Sequence, residues 1–246
     1  MRQEFERLLH SKNRIDLPKI LMVGAEAAPL AKTGGLADVM GALPKSLKSL
    51  NCDARVMMPC HRVIKDAYRE SFTHLCDFTI AFDGRYDEYV GIERMDIAGV
   101  AYYLIDNERW FGDSIYRGGD AEGMQYSFFC RACLEAMPKL DFVPDIVHCN
   151  DWHTAMIPML AKTQYTYGFQ GQLRYLFSIH NIFFQGRYNF DLVKWALEVD
   201  PGYLTPECME MFGDACYMKA GILYADLIST VSPTYAKEIL TPEYSG

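Results

Sequence analysis

The chain has 246 residues, half of them hydrophobic and 23% charged, a composition that can bury a sizeable core and excludes wholesale disorder. Its net charge of −8 argues against a general nucleic-acid binder, which needs a basic footprint, yet leaves room for a phosphate-bearing small ligand at a locally positive site. No apolar run in the sequence approaches the roughly 20 residues that span a bilayer, so no membrane partner is expected.

Residues 1–18 are of mixed charge, lack the apolar stretch of a secretory signal and read as a short leader outside the fold. That reading predicts an intracellular, cytoplasmic protein, or a plastid one if the source is a plant. A strand is predicted over 19–25 (KILMVGA), then a glycine loop and a helix over 36–50. Pro44 inside that helix lacks an N–H and clashes with the preceding turn at a cost of about 3 kcal/mol, so a kink or restart is expected there. Strands follow over 54–58, 76–82, 88–95 and 100–105. The last three have no helix between them, and Asp83-Gly84 and Ala98-Gly99 supply turns, which predicts an antiparallel hairpin or meander at a sheet edge. Next come a helix over 121–139, a strand over 146–149, a helix over 152–163, a strand over 174–179, helices over 192–197 and 213–224, a strand over 227–230 and a helix over 233–239. The short strands are continuously apolar, as when helices cover both sheet faces, and the alternation predicts an open, mostly parallel α/β sheet. One domain is expected over 19–240, with 241–246 opening a linker.

The eight cysteines fit free thiols packed as small hydrophobes. Cys130 and Cys133 form a CxxC in a helical run with no second pair at metal spacing, so packing is expected there rather than zinc or redox chemistry. His148, Cys149 and His153 are a weaker metal set, because strand and helix geometry would splay them. No metal is expected.

Three segments carry chemistry. The first is Lys32-Thr33-Gly34-Gly35-Leu36-Ala37-Asp38, between the first strand and a helix. Ligands of open α/β sheets sit at the carboxyl ends of strands. Adjacent glycines let backbone approach a ligand, and the helix N-terminus suits a phosphate, with Lys32 adding a full positive charge. The plain alternative is a tight strand-to-helix turn. The pattern is neither GxGxxG nor GxxxxGK[ST], which disfavours nicotinamide and P-loop readings. Glu26 reads otherwise as an exposed strand-end carboxylate, and Asp38 as a first-turn acid complementing the helix dipole. The second segment is DIVHCNDWH, residues 145–153. Asn150 or Asp151 can cap the following helix, or Asp151 and Trp152 can face the same cleft as Lys32; Trp152 is otherwise a core aromatic and His148 a packed core histidine. The third is SIHNIFFQG, residues 178–186, where His180 can be a base, a hydrogen-bonding wall residue or a satisfied histidine.

GAEAAPLAKTGGLADVMGALPKSL, HCNDWH, HNIFFQG and MKAGILYADLISTVSPTYAKEI together resemble bacterial glycogen synthases and plant starch synthases, over about residues 19–246. These are retaining glucosyltransferases of the GT-B type, with two facing Rossmann-like domains. The resemblance implies the N-terminal half of such an enzyme, moving glucose from ADP-glucose to the non-reducing end of an α-1,4-glucan, with no cofactor. It implies donor contacts by Lys32, Gly34, Gly35 and Asp38, and acceptor-side roles for Glu26, Tyr116, Asp151, Trp152 and Asn181, with Gln185 and Gly186 shaping their loop. His180, Asp151 and Lys32 would be catalytic: the His180 backbone carbonyl steadies positive charge on the sugar, while Lys32 and the glycine amides hold the departing diphosphate. A second domain with most nucleotide contacts, basic residues and a glutamate would complete the site, leaving this half inactive alone. The competing readings are another two-domain glycosyltransferase or a phosphorylase, a non-catalytic glucan-binding or scaffold protein of the same fold, and, more distantly, a nicotinamide dehydrogenase.

Overall fold

The computed structural model describes residues 17–243; most of the expected leader and the last three residues of the expected linker lie outside the described residues. In chain order the elements are β1 (Lys19–Val23), α1 (Gly35–Ser49), β2 (Asp53–Pro59), α2 (Arg62–Tyr68), β3 (Thr73–Phe82), β4 (Arg85–Ile97), β5 (Val100–Asp106) and the single turn α3 (Glu108–Phe111). They continue with α4 (Gly119–Ala136), β6 (Ile146–Asn150), α5 (Met156–Thr163), β7 (Arg174–Ile179), β8 (Arg187–Tyr188), α6 (Phe190–Leu197), β9 (Glu210–Met211), β10 (Asp214–Cys216), α7 (Tyr217–Tyr224), β11 (Leu227–Thr230) and α8 (Pro233–Glu238).

Eight strands form one sheet in the order β11-β7-β6-β1-β2-β5-β4-β3. The six from β11 to β5 are parallel, and β4 and β3 add antiparallel to the β5 edge, as the turn chemistry at Asp83-Gly84 and Ala98-Gly99 predicts. Alternation along the strands sends side chains to two cores. Leu21 and Val23 join Met57, Tyr103, Val147 and the apolar faces of α4 and α5 on one side. Met22 joins Val56, Met58, Tyr102, Leu104 and the α1 residues Leu36 and Met40 on the other. The chain leaves β1 for β2 on one side and later returns to β6 on the other, so the strand order reverses at β1, and the carboxyl ends of β1, β6, β7 and β11 open on one edge of the sheet.

The local reading needs four corrections. α1 runs unbroken through Pro44, with no restart; the proline is buried, and packing of the helix offsets its missing hydrogen bond. The helix expected over 152–163 begins with a separate 3-10 turn, Trp152–Thr154. The helix expected over 213–224 is the strand β10 followed by α7, and β10 pairs with β8 and β9 in a small antiparallel sheet. Strands of two or three residues carry no readable period. α2 was not predicted; it buries only Ile64, too little to show an apolar stripe. The cysteines are free, and Cys130 and Cys133 are buried packing residues of α4.

Candidate active site

The glycine loop follows β1. Glu26 is 2% exposed, not the exposed strand-end carboxylate of the plain reading. Its Oε2 accepts hydrogen bonds from the Thr33 backbone N–H (2.5 Å) and hydroxyl (2.7 Å), which clasps the loop back onto the strand. Gly34 and Gly35 are exposed, and a Cβ on Gly35 would meet nothing within 4 Å, so bare backbone and the α1 N-terminus face open space. Lys32 and Asp38 form an exposed ion pair, Nζ to Oδ1 2.7 Å, beside the main cavity rather than in its wall. Such a pair is worth under about 1 kcal/mol, so an arriving anion can take the lysine.

The opposite wall comes from the ends of β6 and β7. Asp151 has φ 59°, a left-handed backbone for a non-glycine residue, and although it stands at the N-cap position of the 3-10 turn its side chain makes no capping hydrogen bond. Instead its Oδ1 accepts from the backbone N–H of His180 (2.7 Å) and of Asn181 (3.3 Å), fastening the two strand ends together. Burial pushes the Asp151 carboxyl up to about 6, against the pull of those two N–H groups and with help from Glu26. The Asn150 amide nitrogen donates to the carbonyls of Val23 and His148, so its Oδ1 is the acceptor that faces His180 Nε2 at 2.9 Å. That network puts the proton of His180 on Nε2. Burial pulls the ring down to about 4, so it is neutral at pH 7 and a weak base. His148 is a packed strand histidine, its Nε2 2.6 Å from the Ser178 hydroxyl. Among the described residues no three metal-ligating side chains converge.

Behind both walls lies an aromatic stack. Trp152 is 4% exposed and sits against His153, Tyr126, Tyr188 and Tyr217, so it is chiefly a core aromatic that shows an edge to the cavity. Gly186 (φ 62°) presses on it: a Cβ there would stand 2.3 Å from the indole. Tyr116 packs on His153 and Tyr126, and burial pushes its hydroxyl pKa up, so it stays protonated.

Glu26, Gly34, Gly35, Tyr116, Asp151, Trp152, His180 and Asn181 thus line one cavity of about 670 Å³, within the size range of small-ligand sites. A family model of the starch synthase catalytic domain matches residues 19–246. The chain belongs to this family. It is 42% identical to a glycogen synthase of Anoxybacillus flavithermus over 92% of its length and 43% identical to one of Moorella thermoacetica over 92%. Those alignments cover 47% and 46% of the relatives, so the chain spans about half the length of the curated relatives it matches. The catalytic domain of Starch Synthase IV from Arabidopsis thaliana, bound to ADP and acarbose, superposes with a TM-score of 0.80 at 26% identity, covering 93% of this chain and 48% of that one. The sheet is therefore the mostly parallel α/β sheet of a GT-B glycosyltransferase.

Two cavity residues escaped the sequence reading of this family member. Glu122 lines the cavity, and burial raises its carboxyl above the usual range; its only signal is an acid in the first turn of α4. His153, weighed only as a metal ligand, is 7% exposed, stacked on Trp152 at 4.1 Å and held neutral by burial, down to about 3. Its Nδ1 has no hydrogen-bond partner among the described residues. The acidic groups of the cavity are then the carboxyls of Glu26, Glu122 and Asp151, and among the described residues lining it there is no lysine or arginine. Such a surface suits developing positive charge and the hydroxyls of a neutral sugar. It suits a diphosphate only at the glycine edge.

Proposed function

We propose that this chain is the acceptor-side half of a glucosyltransferase that moves glucose from ADP-glucose onto the non-reducing end of an α-1,4-glucan with retention of configuration. The observation that carries this reading is the convergence of bare glycine backbone, a buried carboxylate pair and a neutral histidine at the carboxyl ends of β1, β6 and β7. Glucosyl transfer passes through an oxocarbenium-like state, which the carboxylates of Glu26 and Asp151 and the His180 peptide stabilise from this side. The departing diphosphate lies against the Gly34 and Gly35 amides, where Lys32 leaves Asp38 to meet it. Asp38 then steadies the released loop beside the donor. Tyr116, Trp152 and Asn181 support the acceptor glucose. A histidine held near 4 is no general base at pH 7, which fits removal of the acceptor proton by the leaving phosphate on the same face. The bound ADP and acarbose of the Arabidopsis relative support a nucleotide donor and a sugar-like ligand for the same fold. No cofactor or metal enters this scheme, and a second half carries most nucleotide contacts and the remaining cations.

The acid-lined cavity also favours a second reading, a glucan-binding module without turnover. One experiment separates the two. Incorporation of labelled glucose from ADP-glucose into glycogen is measured for the 246-residue chain, for the protein including the second half, and for that protein with Asp151→Asn. The proposal expects turnover only in the two-half protein and its loss in the variant. Glycogen binding without turnover in the two-half protein would establish the module instead.

A further inference from the structure

Asn150 is the last residue of β6 and is fully buried, outside the wall of the main cavity. Its backbone carbonyl accepts from the Thr154 hydroxyl at 3.0 Å. Its side chain reaches three separate points of the chain. Nδ2 donates to the Val23 carbonyl of β1 at 3.1 Å and to the His148 carbonyl of β6 at 3.0 Å, and Oδ1 stands 2.9 Å from His180 Nε2, just beyond β7. The two bonds to carbonyls tie strand to strand and need no further account. The third is different, because it ends on a ring that lines the cavity.

The polarity of that third bond is not free. A peptide carbonyl can only accept, so two carbonyls on one side of the carboxamide force Nδ2 toward them. Turning the amide over would set Oδ1 against two carbonyl oxygens and leave buried polar groups unpaired, a costly state in a dry interior. Oδ1 is therefore the atom shown to His180, and the ring must donate to it from Nε2. A neutral imidazole carries one proton, so Nδ1 keeps a bare lone pair. Burial holds the ring neutral, with its pKa down to about 4. Two strand carbonyls outside the cavity thus decide which proton pattern a cavity residue shows.

His180 is also pinned at its backbone, where its N–H donates to Asp151 Oδ1 at 2.7 Å. A residue held at both its ring and its N–H has little freedom left in the torsions between them. The direction of its carbonyl is fixed with them.

Resting on the glucosyl-transfer reading and going beyond it, we propose that Asn150 is a positioning residue of the transfer: its fixed acceptor locks the His180 ring in the Nε2–H tautomer and in one orientation, so that Nδ1 meets the sugar only as an acceptor and the His180 carbonyl keeps its aim. Asn150 touches no substrate and acts through His180. A ligand hydroxyl that donates to Nδ1 is welcomed, and a group that can only accept there is refused.

The first measurement needs no substitution in the molecule tested. Long-range proton–nitrogen NMR correlations of the imidazoles are recorded on the 246-residue chain at pH 7, with the His180 signals identified by their loss in His180→Ala. A protonated Nε2 and an unprotonated Nδ1 are expected. A proton on Nδ1, or averaging between the two tautomers, overturns the proposal. The second measurement is kinetic, on the protein including the second half. Asn150→Ala should lower kcat about 10²-fold while moving the KM for donor and for glucan by less than about twofold. In a His180→Ala background the same substitution should remove less than about threefold more, because the ring it acts through is gone. A folded Asn150→Ala protein with unchanged kcat overturns the proposal. So does an equal loss with and without the His180 ring, which makes Asn150 a strand tie alone. If Asn150→Ala does not fold, the tautomer in the unsubstituted chain decides. Failure of the glucosyl-transfer reading shows elsewhere, as absence of transfer in the unsubstituted two-half protein, and takes the proposal with it.

Discussion

The two walls of the cleft are built on opposite plans. The β6–β7 wall is dry and closed: Asp151, His153 and Trp152 are buried, and Asp151 is hydrogen-bonded to the neighbouring strand end. The glycine wall is wet and open: Lys32, Thr33, Gly34 and Gly35 are exposed, and its cation is held by a surface ion pair. The contrast teaches a division of labour. In the proposed transfer reaction, the wall assigned to the reacting sugar is organised before anything binds, so it loses no energy to reorganisation. The wall assigned in that proposal to the leaving anion is left adjustable, as suits a group that must arrive and depart.

Acid should break the buried wall first and hardest. Burial holds His148 and His180 down to about 4 and His153 to about 3, from an ordinary 6.5, and it holds His61, outside that wall at the start of α2 with Nε2 on the Ala25 carbonyl, to about 4 as well. The unfolded chain binds those protons at higher pH, so stability is full above about pH 6.5 and is lost as pH falls toward 4, each group contributing about 1.4 kcal/mol per pH unit. Asp151 works the other way: its raised folded pKa costs stability above about pH 6, and that cost fades as pH falls through the same window. Four histidines outweigh one aspartate. Urea midpoints at pH 7.5 and 4.5 should therefore show a loss on the order of 5–10 kcal/mol, and amide exchange should open β6 and β7 before α1.

Asp151→Asn sharpens the contrast next. The amide still accepts from His180 and Asn181 but carries no charge, so transfer in the two-half enzyme should drop about 10²–10³-fold. At pH 7.5 the same variant should gain about 1–2 kcal/mol of stability, since a carboxylate costly to ionise has gone. A variant both inactive and less stable would show the carboxylate to be a structural tie only. Gly186→Ala forces a Cβ into the Trp152 ring on a left-handed backbone, and should cost about 2–4 kcal/mol by urea unfolding. Lys32→Ala, in the open wall, should move stability by under about 0.5 kcal/mol. It should nevertheless raise the donor KM of the two-half enzyme about tenfold, because the proposed charge-assisted contact to phosphate is lost. Equal damage to stability from Lys32→Ala and Gly186→Ala would erase the distinction between the walls.

Much of this was legible in the order of residues. The continuous apolar runs at 19–25, 146–149 and 174–179 gave the parallel strands, and the polar residues directly after them gave the cavity. Asp151 was readable as a helix cap or a cleft residue because both belong at a strand-to-helix junction. Its actual partners, His180 and Asn181, are 29 and 30 residues away, and no local pattern encodes them. Glu26 looked exposed because a strand end usually is, and only the returning loop through Thr33 covers it. The two-residue strand β8 and the half-buried Glu122 left almost no mark.

Strand and helix order, the antiparallel edge and the placing of Gly34–Gly35 after β1 follow from periodicity and turn chemistry, which act between near neighbours and are written in any short stretch of chain. The neutral state of His180, the costly charge of Asp151 and the pairing of Lys32 with Asp38 follow from burial and from partners brought in by the fold. Burial is a property of the whole packed sheet, so protonation and hydrogen bonding emerged only once β1, β6 and β7 lay side by side.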